Sequence, residues 1–177
     1  MSESYDALVA RSDGAMIVVT ASDGRERAGC VVGFHSQCAI DPLQHAVWLS
    51  KANHTYRVAL HAGHLGVHFL TPDDEAIARL FGERSGDELD KFAHVDWSSG
   101  MGDAPLLAAL PNRFIGRRVA LAEVGGDHAC FVLEVEDAAC TEEFEPLRLS
   151  ALSGLTPGHP AEDRPAPAQA RTPEVPH

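Results

Sequence analysis

The apolar residues of the chain fall into short runs separated by turn residues, a pattern typical of β-strands. The first two runs are joined by the turn-forming residues 22–25, and a third run follows Asp41-Pro42. We therefore predict that the first three strands form an antiparallel meander. The pattern predicts about six strands in all, at residues 16–20, 28–34, 45–49, 65–70, 113–123 and 128–137.

Helical periodicity appears between these strands. A short helix is predicted at residues 3–10, and a second at residues 54–62, where Asn53 or Ser50 can act as the N-cap. A third begins after Thr71-Pro72. Short strands with hairpin-like connections do not fit alternating βαβ units. The predicted fold is therefore mainly β, a small barrel with helices over its ends.

The composition is that of a globular domain, with 45% hydrophobic and 23% charged residues among 177. One domain is predicted over residues 1–150. Residues 151–177 form a proline-rich tail with too few large apolar residues to offset the entropy of ordering, so we expect disorder there. No segment approaches the ~20 apolar residues that span a bilayer. The acidic N-terminus does not resemble a signal peptide, and we expect a cytoplasmic protein.

Charge and cysteine spacing exclude several classes of partner. Fourteen basic against 26 acidic residues give a net charge of -12, which argues against nucleic acid or an anionic membrane. Any anionic ligand therefore needs a local basic pocket. The four cysteines include no CxxC pair, so no zinc site is indicated. Gly63 separates His61 from His64 and His68, which argues against a histidine metal site, and we predict no bound metal.

Two segments carry candidate binding chemistry. At the predicted start of the second helix, Lys51 would supply charge, Thr55 a hydroxyl and the first helical turn its backbone amides, as a phosphate requires. The alternative is a helix cap with solvated charges. The glycine-containing residues 29–33 lack a nucleotide-binding motif. They fit either a core strand with a bulge or a strand whose backbone approaches a flat ligand. His128 follows a tight turn and either enters a pocket or is solvated.

In their order along the chain, these motifs resemble the flavin reductase family with the FMN-binding split-barrel fold, the reductase components of two-component monooxygenases. The resemblance covers residues 6–137. It is carried by VVTASDGRERAGCVVGF, HSQCAIDP, LSKANHTYRVA, GVHFL, EAIARLFGE followed by Asp90-Lys91-Phe92, Ala104-Pro105-Leu106 and Gly126-Asp127-His128.

The resemblance implies a split β-barrel homodimer in which each flavin lies near the subunit interface. The second strand would run along the isoalloxazine and ribityl, the segment after Ser50 would hold the phosphate side, and a long connection would lie near the flavin. His128 would act beside the nicotinamide as the catalytic residue. The implied cofactor-binding residues are Cys30, Val31, Val32, Gly33, Phe34, His35, Ser36, Lys51, Ala52, Asn53, His54, Thr55, Arg84, Lys91 and Phe92.

The implied activity is hydride transfer from NADH or NADPH to FMN or FAD, with reduced flavin supplied to a partner monooxygenase. Such transfer needs stacking and alignment more than an acid or base. Members of the family often carry hydroxyl or amide side chains where this chain has Cys30, Val31, Val32 and Gly33, and a proline where it has Leu43. The preferred flavin therefore stays open. The alternatives are a flavin-binding protein without nicotinamide turnover, an oxidoreductase using another donor or a deazaflavin, and an interaction module that has lost its cofactor.

Overall fold

A computed structural model describes residues 2–152 together with residues 154, 156 and 158. The α-helices in this part of the chain are α1 (Ser2–Ser12), α2 (His54–Ala59) and α3 (Glu75–Glu83). Its strands are β1 (Ile17–Ser22), β2 (Arg27–Val32), β3 (His35–Ile40), β4 (Leu43–Ser50), β5 (His64–Phe69), β6 (Trp97–Ser99), β7 (Pro105–Leu107), β8 (Arg113–Ala122) and β9 (His128–Ala139). Short 3-10 helices lie at Pro72–Asp74, Lys91–His94, Met101–Asp103 and Leu149–Leu152.

Seven of these strands form one antiparallel sheet in the order β2-β1-β5-β8-β9-β4-β3. The sheet curls into a half-barrel, and β6 and β7 form a separate hairpin. The mainly β fold is therefore confirmed. The three predicted helices are also present, although α2 ends at Ala59 rather than at residue 62.

The expected three-strand meander is wrong beyond its first hairpin. β1 pairs with β2 as predicted, with Val19 opposite Cys30. The third predicted strand, β4, instead pairs with β3 and β9. The sequence pattern missed β3 because most of its side chains are exposed, so it has no apolar run. As a consequence β2 lies at one edge of the sheet.

Two large clusters of buried side chains, with a small third one at Ala104, Leu106 and Ile115, form the core of the described chain. One fills the interior of the barrel around Leu65 and Phe131 and is closed at one end by Val58 of α2. The other lies between the outer side of the sheet and α3, around Phe81. Gly29 on β2 allows this contact, because a Cβ atom there would lie 2.7 Å from Cε1 of the Phe81 ring.

None of the helices in residues 2–152 has the length and apolar character needed to cross a membrane. Leu152 is buried in the second core cluster, so packing continues to the end of that range. The predicted proline-rich tail lies almost entirely outside the described residues.

Candidate functional site

A cleft of about 400 Å³ opens between the edge of β2 and the ends of β4 and β9. One wall is the segment that runs from β2 into the turn before β3. The opposite wall carries Trp48, Ser50 and His128, and apolar side chains of the C-terminal segment line the remaining side. The lining residues are Met16, Cys30, Val31, Val32, Gly33, Phe34, Trp48, Ser50, Asn53, Gly82, His128, Leu149 and Leu152.

The β2 wall presents backbone groups to the cleft. The carbonyl of Gly29 accepts a hydrogen bond of 3.0 Å from Lys91 Nζ, so it points away from β1. In an antiparallel strand the N–H and C=O of one residue point to the same side, and the side alternates along the strand. Val31 therefore directs its N–H and C=O to the same edge as Gly29. This wall offers a donor and an acceptor without using side chains.

Two strands place aromatic rings on the opposite wall. The β4–β9 register sets Ser50 opposite His128 and Trp48 opposite Cys130, which puts Trp48 and His128 on one face of the sheet. The His128 ring packs edge-on against Phe34, with 5.2 Å between ring centroids. Its Nδ1 lies 3.0 Å from an Asp127 carboxylate oxygen. The cleft mouth thus combines an imidazole with flat apolar surfaces.

The start of α2 contributes a capped helix end. Asn53 is the N-cap, and its side-chain oxygen accepts a 3.0 Å hydrogen bond from the backbone N–H of Thr55. Thr55 itself is buried. Burial raises the pKa of the Cys30 thiol, and a hydrogen bond from Thr55 partly opposes that rise. Asn53 lines the cleft, whereas the hydroxyl of Thr55 serves the core.

Lys51 does not line the cleft, although Ser50 and Asn53 on either side of it do. Its Nζ is 3.9 Å from a carboxylate oxygen of Glu123, and Glu123 also accepts a hydrogen bond from the Tyr56 hydroxyl. Burial and this carboxylate raise the pKa of Tyr56 to about 12. The charge of Lys51 is therefore partly balanced within the chain. The lysine expected to attract a phosphate already has an acidic neighbour.

A second cavity of about 260 Å³ lies beside the first part of β2. It is lined by residues 25–29 of the β1–β2 hairpin, by His54 and by the connection after α3. Lys91 is buried there with 4% of its surface exposed, and it donates hydrogen bonds of 3.0 Å to the carbonyls of Gly29 and Phe81. Burial lowers the pKa of Lys91. Phe92, also buried, packs edge-on against Phe81.

His54 lines this cavity and contacts two exposed carboxylates. Its Nδ1 lies 3.0 Å from Asp87, and its Nε2 lies 3.4 Å from Glu26. Arg57 also hydrogen-bonds Asp87 and, together with His54, holds the pKa of that carboxyl below its ordinary value. The connection lies directly on the imidazole, because a Cβ at Gly86 would be 2.7 Å from His54 Cδ2.

Four of the predicted site residues lie elsewhere. His35 and Ser36 belong to β3, because the chain leaves β2 after Val32. The His35 ring contacts His45 at 3.0 Å and the Ala15 carbonyl at 2.9 Å rather than lining the cleft. Arg84 follows α3 and lines a separate surface groove with Leu80 and His94. Ala52, in the turn before α2, lines neither of the two cavities beside β2.

Three residues of these cavities, Trp48, Arg25 and Arg27, are not indicated by the sequence pattern. The apolar run predicts a strand at Trp48 but does not show that its side chain lines the cleft. The two arginines flank the end of the first hairpin, where charge is ordinarily solvated, and only the position of the connection after α3 makes them part of a cavity. Among the described residues, no group of three or more histidine, cysteine or acidic side chains is arranged to hold a metal.

Comparisons with known proteins agree with this geometry. The family model described as "Flavin reductase like domain" matches residues 10–151. The chain is 33% identical over 138 residues to the ferric-chelate reductase (NAD(P)H) of Archaeoglobus fulgidus, covering 77% of this chain and 80% of that protein.

Solved structures share the fold. The NADH:FAD oxidoreductase SgcE6 of Streptomyces globisporus C-1027, in complex with NAD and FAD fragments, is 26% identical, with a TM-score of 0.69 over 78% of this chain and 81% of that one. A flavin reductase domain protein from Arthrobacter sp. FB24 has a TM-score of 0.74 over 84% of this chain and 90% of its own. At 18% identity this second likeness supports the split-barrel fold alone.

Proposed function

The chain belongs to the flavin reductase like domain family, and from this membership we propose that it is an NAD(P)H-dependent flavin oxidoreductase acting on FMN or FAD. Its relatives include an NAD(P)H-dependent ferric-chelate reductase and an NADH:FAD oxidoreductase, which supports the oxidoreductase class. The family membership also confirms the resemblance seen in the sequence motifs.

The observation that carries the proposal is the edge of β2 facing an apolar cleft. The backbone N–H and C=O of Val31 suit the donor and acceptor edge of an isoalloxazine, while Trp48 and Phe34 suit its flat apolar rings. The cleft volume of about 400 Å³ falls within the range of about 300 to 1,000 Å³ common for small-molecule sites. The residues present therefore fit a flavin.

Flavin, when bound, would supply the redox chemistry by accepting a hydride from a reduced nicotinamide. The chain's task is then alignment. We assign Val31 to orienting the ring through its backbone, and Phe34 with His128 to the position of the nicotinamide at the cleft mouth. His128 would hydrogen-bond the carboxamide or phosphate of the nicotinamide nucleotide rather than transfer a proton.

The phosphate side of the flavin is assigned to the start of α2. Asn53 lines the cleft and His54 lines the neighbouring cavity, so this turn lies where the two spaces meet. Lys51, Ala52 and Thr55 are included from the family resemblance. Lys51 would act at longer range, because Glu123 already lies beside it.

We propose further that the protein is a cytoplasmic homodimer. Phe34 and Leu149 line the cleft yet are 54% and 39% exposed, a surface that a second subunit would cover in a homodimer. All four cysteines are free thiols, which fits the reducing cytoplasm. We propose that reduced flavin passes to a partner monooxygenase. The alternative is a flavin-binding protein without nicotinamide turnover.

An anaerobic stopped-flow experiment tests the function. The protein is mixed with FMN or FAD and then with NADH or NADPH, and oxidised flavin is followed at about 450 nm. Rapid bleaching supports the reductase and identifies both cofactors. Flavin binding without bleaching favours the binding-protein alternative, and absence of flavin binding contradicts the site. A ferric chelate added to the reduced mixture tests whether it serves as an acceptor, as the name of the Archaeoglobus relative suggests.

Replacing His128 by alanine tests the alignment role. We expect His128→Ala to slow flavin reduction by about 10- to 100-fold, the scale of losses caused by misplaced reactants, while flavin remains bound. The readouts are single-turnover bleaching and flavin affinity. His61→Ala, which removes an exposed imidazole, is the matched control and should react normally. Reduction at the unaltered rate in His128→Ala would contradict the assignment.

A further inference from the structure

Lys91 is a buried cation whose hydrogen-bonding capacity is not filled by the described protein. An ammonium has three N–H donors, and two of them reach the carbonyls of Gly29 and Phe81. The Phe81 ring lies 5.5 Å from Nζ, but an aromatic face is a weaker partner for a buried cation than an anion. Its surface is 4% exposed, and no carboxylate in residues 2–152 lies within 4.0 Å of Nζ. A buried charge is costly unless it is paired. The cavity that Lys91 lines is therefore suited to an anion.

The other cations of this cavity have geometries suited to a nucleotide. Arg25 lies exposed on the hairpin at the cavity rim. The guanidinium carbon of Arg27 lies over the indole of Trp97, 4.3 Å from the ring centroid. A guanidinium can stack on planar groups, so the side away from Trp97 suits a second ring. A nucleotide would use both features, because its phosphate would pair with the cations and its nucleobase would stack on Arg27.

Two acidic side chains also line the cavity, and both have other contacts. Glu26 lies 3.4 Å from His54 and is more than half exposed. Asp90 accepts a 3.0 Å hydrogen bond from the backbone N–H of Phe92. Neither is within ion-pair distance of Lys91, so they do not neutralise the buried ammonium.

The cavity continues the proposed flavin cleft along one strand. Residues 30–33 line the cleft and residues 25–29 line the cavity, so a ligand that follows β2 passes from one into the other. The two spaces also meet at the consecutive residues Asn53 and His54. His128, at the proposed nicotinamide position, lines the cleft but not the cavity. This continuity favours the far end of a long flavin over a separate ligand.

We propose that the cavity around Lys91, Arg25 and Arg27 binds the adenylate half of FAD, so that this protein prefers FAD to FMN. The inference rests on the proposed flavin site and deepens it. The same adenylate chemistry also exists in the nicotinamide dinucleotide, and the experiment separates these two sources.

Equilibrium dialysis with FAD and with FMN measures the preference. We expect the unaltered protein to bind FAD at least about tenfold more tightly than FMN, since charge-assisted contacts to the extra phosphate are lost with FMN. Lys91→Met and Arg25→Ala should lower FAD affinity about tenfold or more and bring the two affinities together. Arg25 is an exposed hairpin residue, so its replacement tests the inference even if Lys91→Met fails to fold.

The matched control is Arg79→Ala, which removes an exposed cation paired with Glu75 and Glu83 on α3. It should leave both affinities unchanged. ADP serves as a probe of the cavity and should compete with FAD but not with FMN. Competition of ADP with NADH instead of FAD would assign the cavity to the nicotinamide dinucleotide and overturn the inference.

Two further results would also overturn it. Equal affinity of the unaltered protein for FAD and FMN would remove the preference. Equal losses of FAD and FMN affinity in both cavity variants would assign the cavity to a phosphate that the two flavins share. Failure to bind either flavin would instead reject the proposed function itself.

Discussion

Lys91 in the second cavity and His68 in the core are both buried bases, but the protein fills the hydrogen-bonding capacity of His68 more completely. His68 is fully buried, with Nδ1 3.3 Å from the Val18 carbonyl and Nε2 accepting a 3.1 Å hydrogen bond from the backbone N–H of Leu107. Both ring nitrogens are used. Lys91 has two partners for three donors and lies against a cavity.

The contrast separates a structural group from one prepared for a ligand. A neutral imidazole with two backbone partners links β1, β5 and β7 and has no capacity left. The Lys91 ammonium, with an unused N–H donor beside the Phe81 ring and no described acidic neighbour, gains a charged partner when an anion enters. Burial alone would treat the two residues alike, whereas unused hydrogen-bonding capacity distinguishes them.

The largest effect expected from this contrast is the loss of stability in acid caused by His68. Burial lowers the pKa of His68 to about 4 from an ordinary 6.5, so the unfolded chain binds the proton more readily. The contribution of His68 to the free energy of unfolding is therefore fully present above pH 6.5. It is lost as the pH falls towards 4, and the loss amounts to about 3 kcal/mol. Denaturant unfolding at a series of pH values measures this slope.

His68→Gln isolates that contribution. The amide can donate to Val18 and accept from Leu107 without titrating, so the acid-dependent loss should shrink by about 3 kcal/mol. Part of the slope should remain, because burial also lowers the pKa of His45 to about 4 and lowers that of His35. The exposed His61→Gln serves as control. An unchanged slope in His68→Gln would show that His68 can be protonated in the folded protein.

A smaller effect of opposite direction is expected from Lys91 in alkali. Burial lowers the pKa of Lys91 below its ordinary 10.5, and a bound anion would favour the charged form. FAD affinity should therefore fall as the pH rises through the lowered pKa, by up to about tenfold, the weight of one charge-assisted contact. Equilibrium dialysis with FAD and FMN in parallel gives the ratio of the two affinities. Titration of the isoalloxazine ring affects both flavins alike and therefore cancels in this ratio.

Lys91→Met is the reference for this titration. Without an ammonium its ratio of FAD to FMN affinity should be low and independent of pH. A ratio in the unaltered protein that stays constant from neutral pH to pH 10.5 would mean that Lys91 does not contact the ligand.

Local pattern was sufficient to predict much of the fold. The β1–β2 hairpin and the amphipathic α3 follow from runs and periodicities within a few residues of one another. β3 could not be predicted, because its exposed polar side chains leave no apolar run. Because β4 pairs with β3 and β9, it does not pair with β2, and β2 is therefore an edge strand.

The candidate site depended even more on tertiary contacts. The family resemblance indicated His128 and Lys91, but the sequence did not show which lysine lacks an acidic neighbour. Lys51 and Glu123 are 72 positions apart and meet only through the folded barrel. Arg25 and Arg27 become cavity residues only because the connection after α3 crosses the hairpin. The residues around Lys51 in the sequence therefore predict a phosphate site there, but they do not show that Glu123 partly balances the charge of Lys51.

The smallest effect is expected at Lys51, the first of the chain's two lysines. Because Glu123 already lies 3.9 Å from Lys51, Lys51→Met should weaken FMN binding by only about threefold and change unfolding free energy by less than about 1 kcal/mol. Glu123→Gln should act in the opposite direction, since it releases the charge of Lys51 towards the flavin phosphate and raises FMN affinity slightly. Equilibrium dialysis of both variants with FMN shows whether the affinity falls in Lys51→Met and rises in Glu123→Gln. A tenfold or greater loss of FMN affinity in Lys51→Met would make Lys51 a direct phosphate ligand and reverse the ranking of the two lysines.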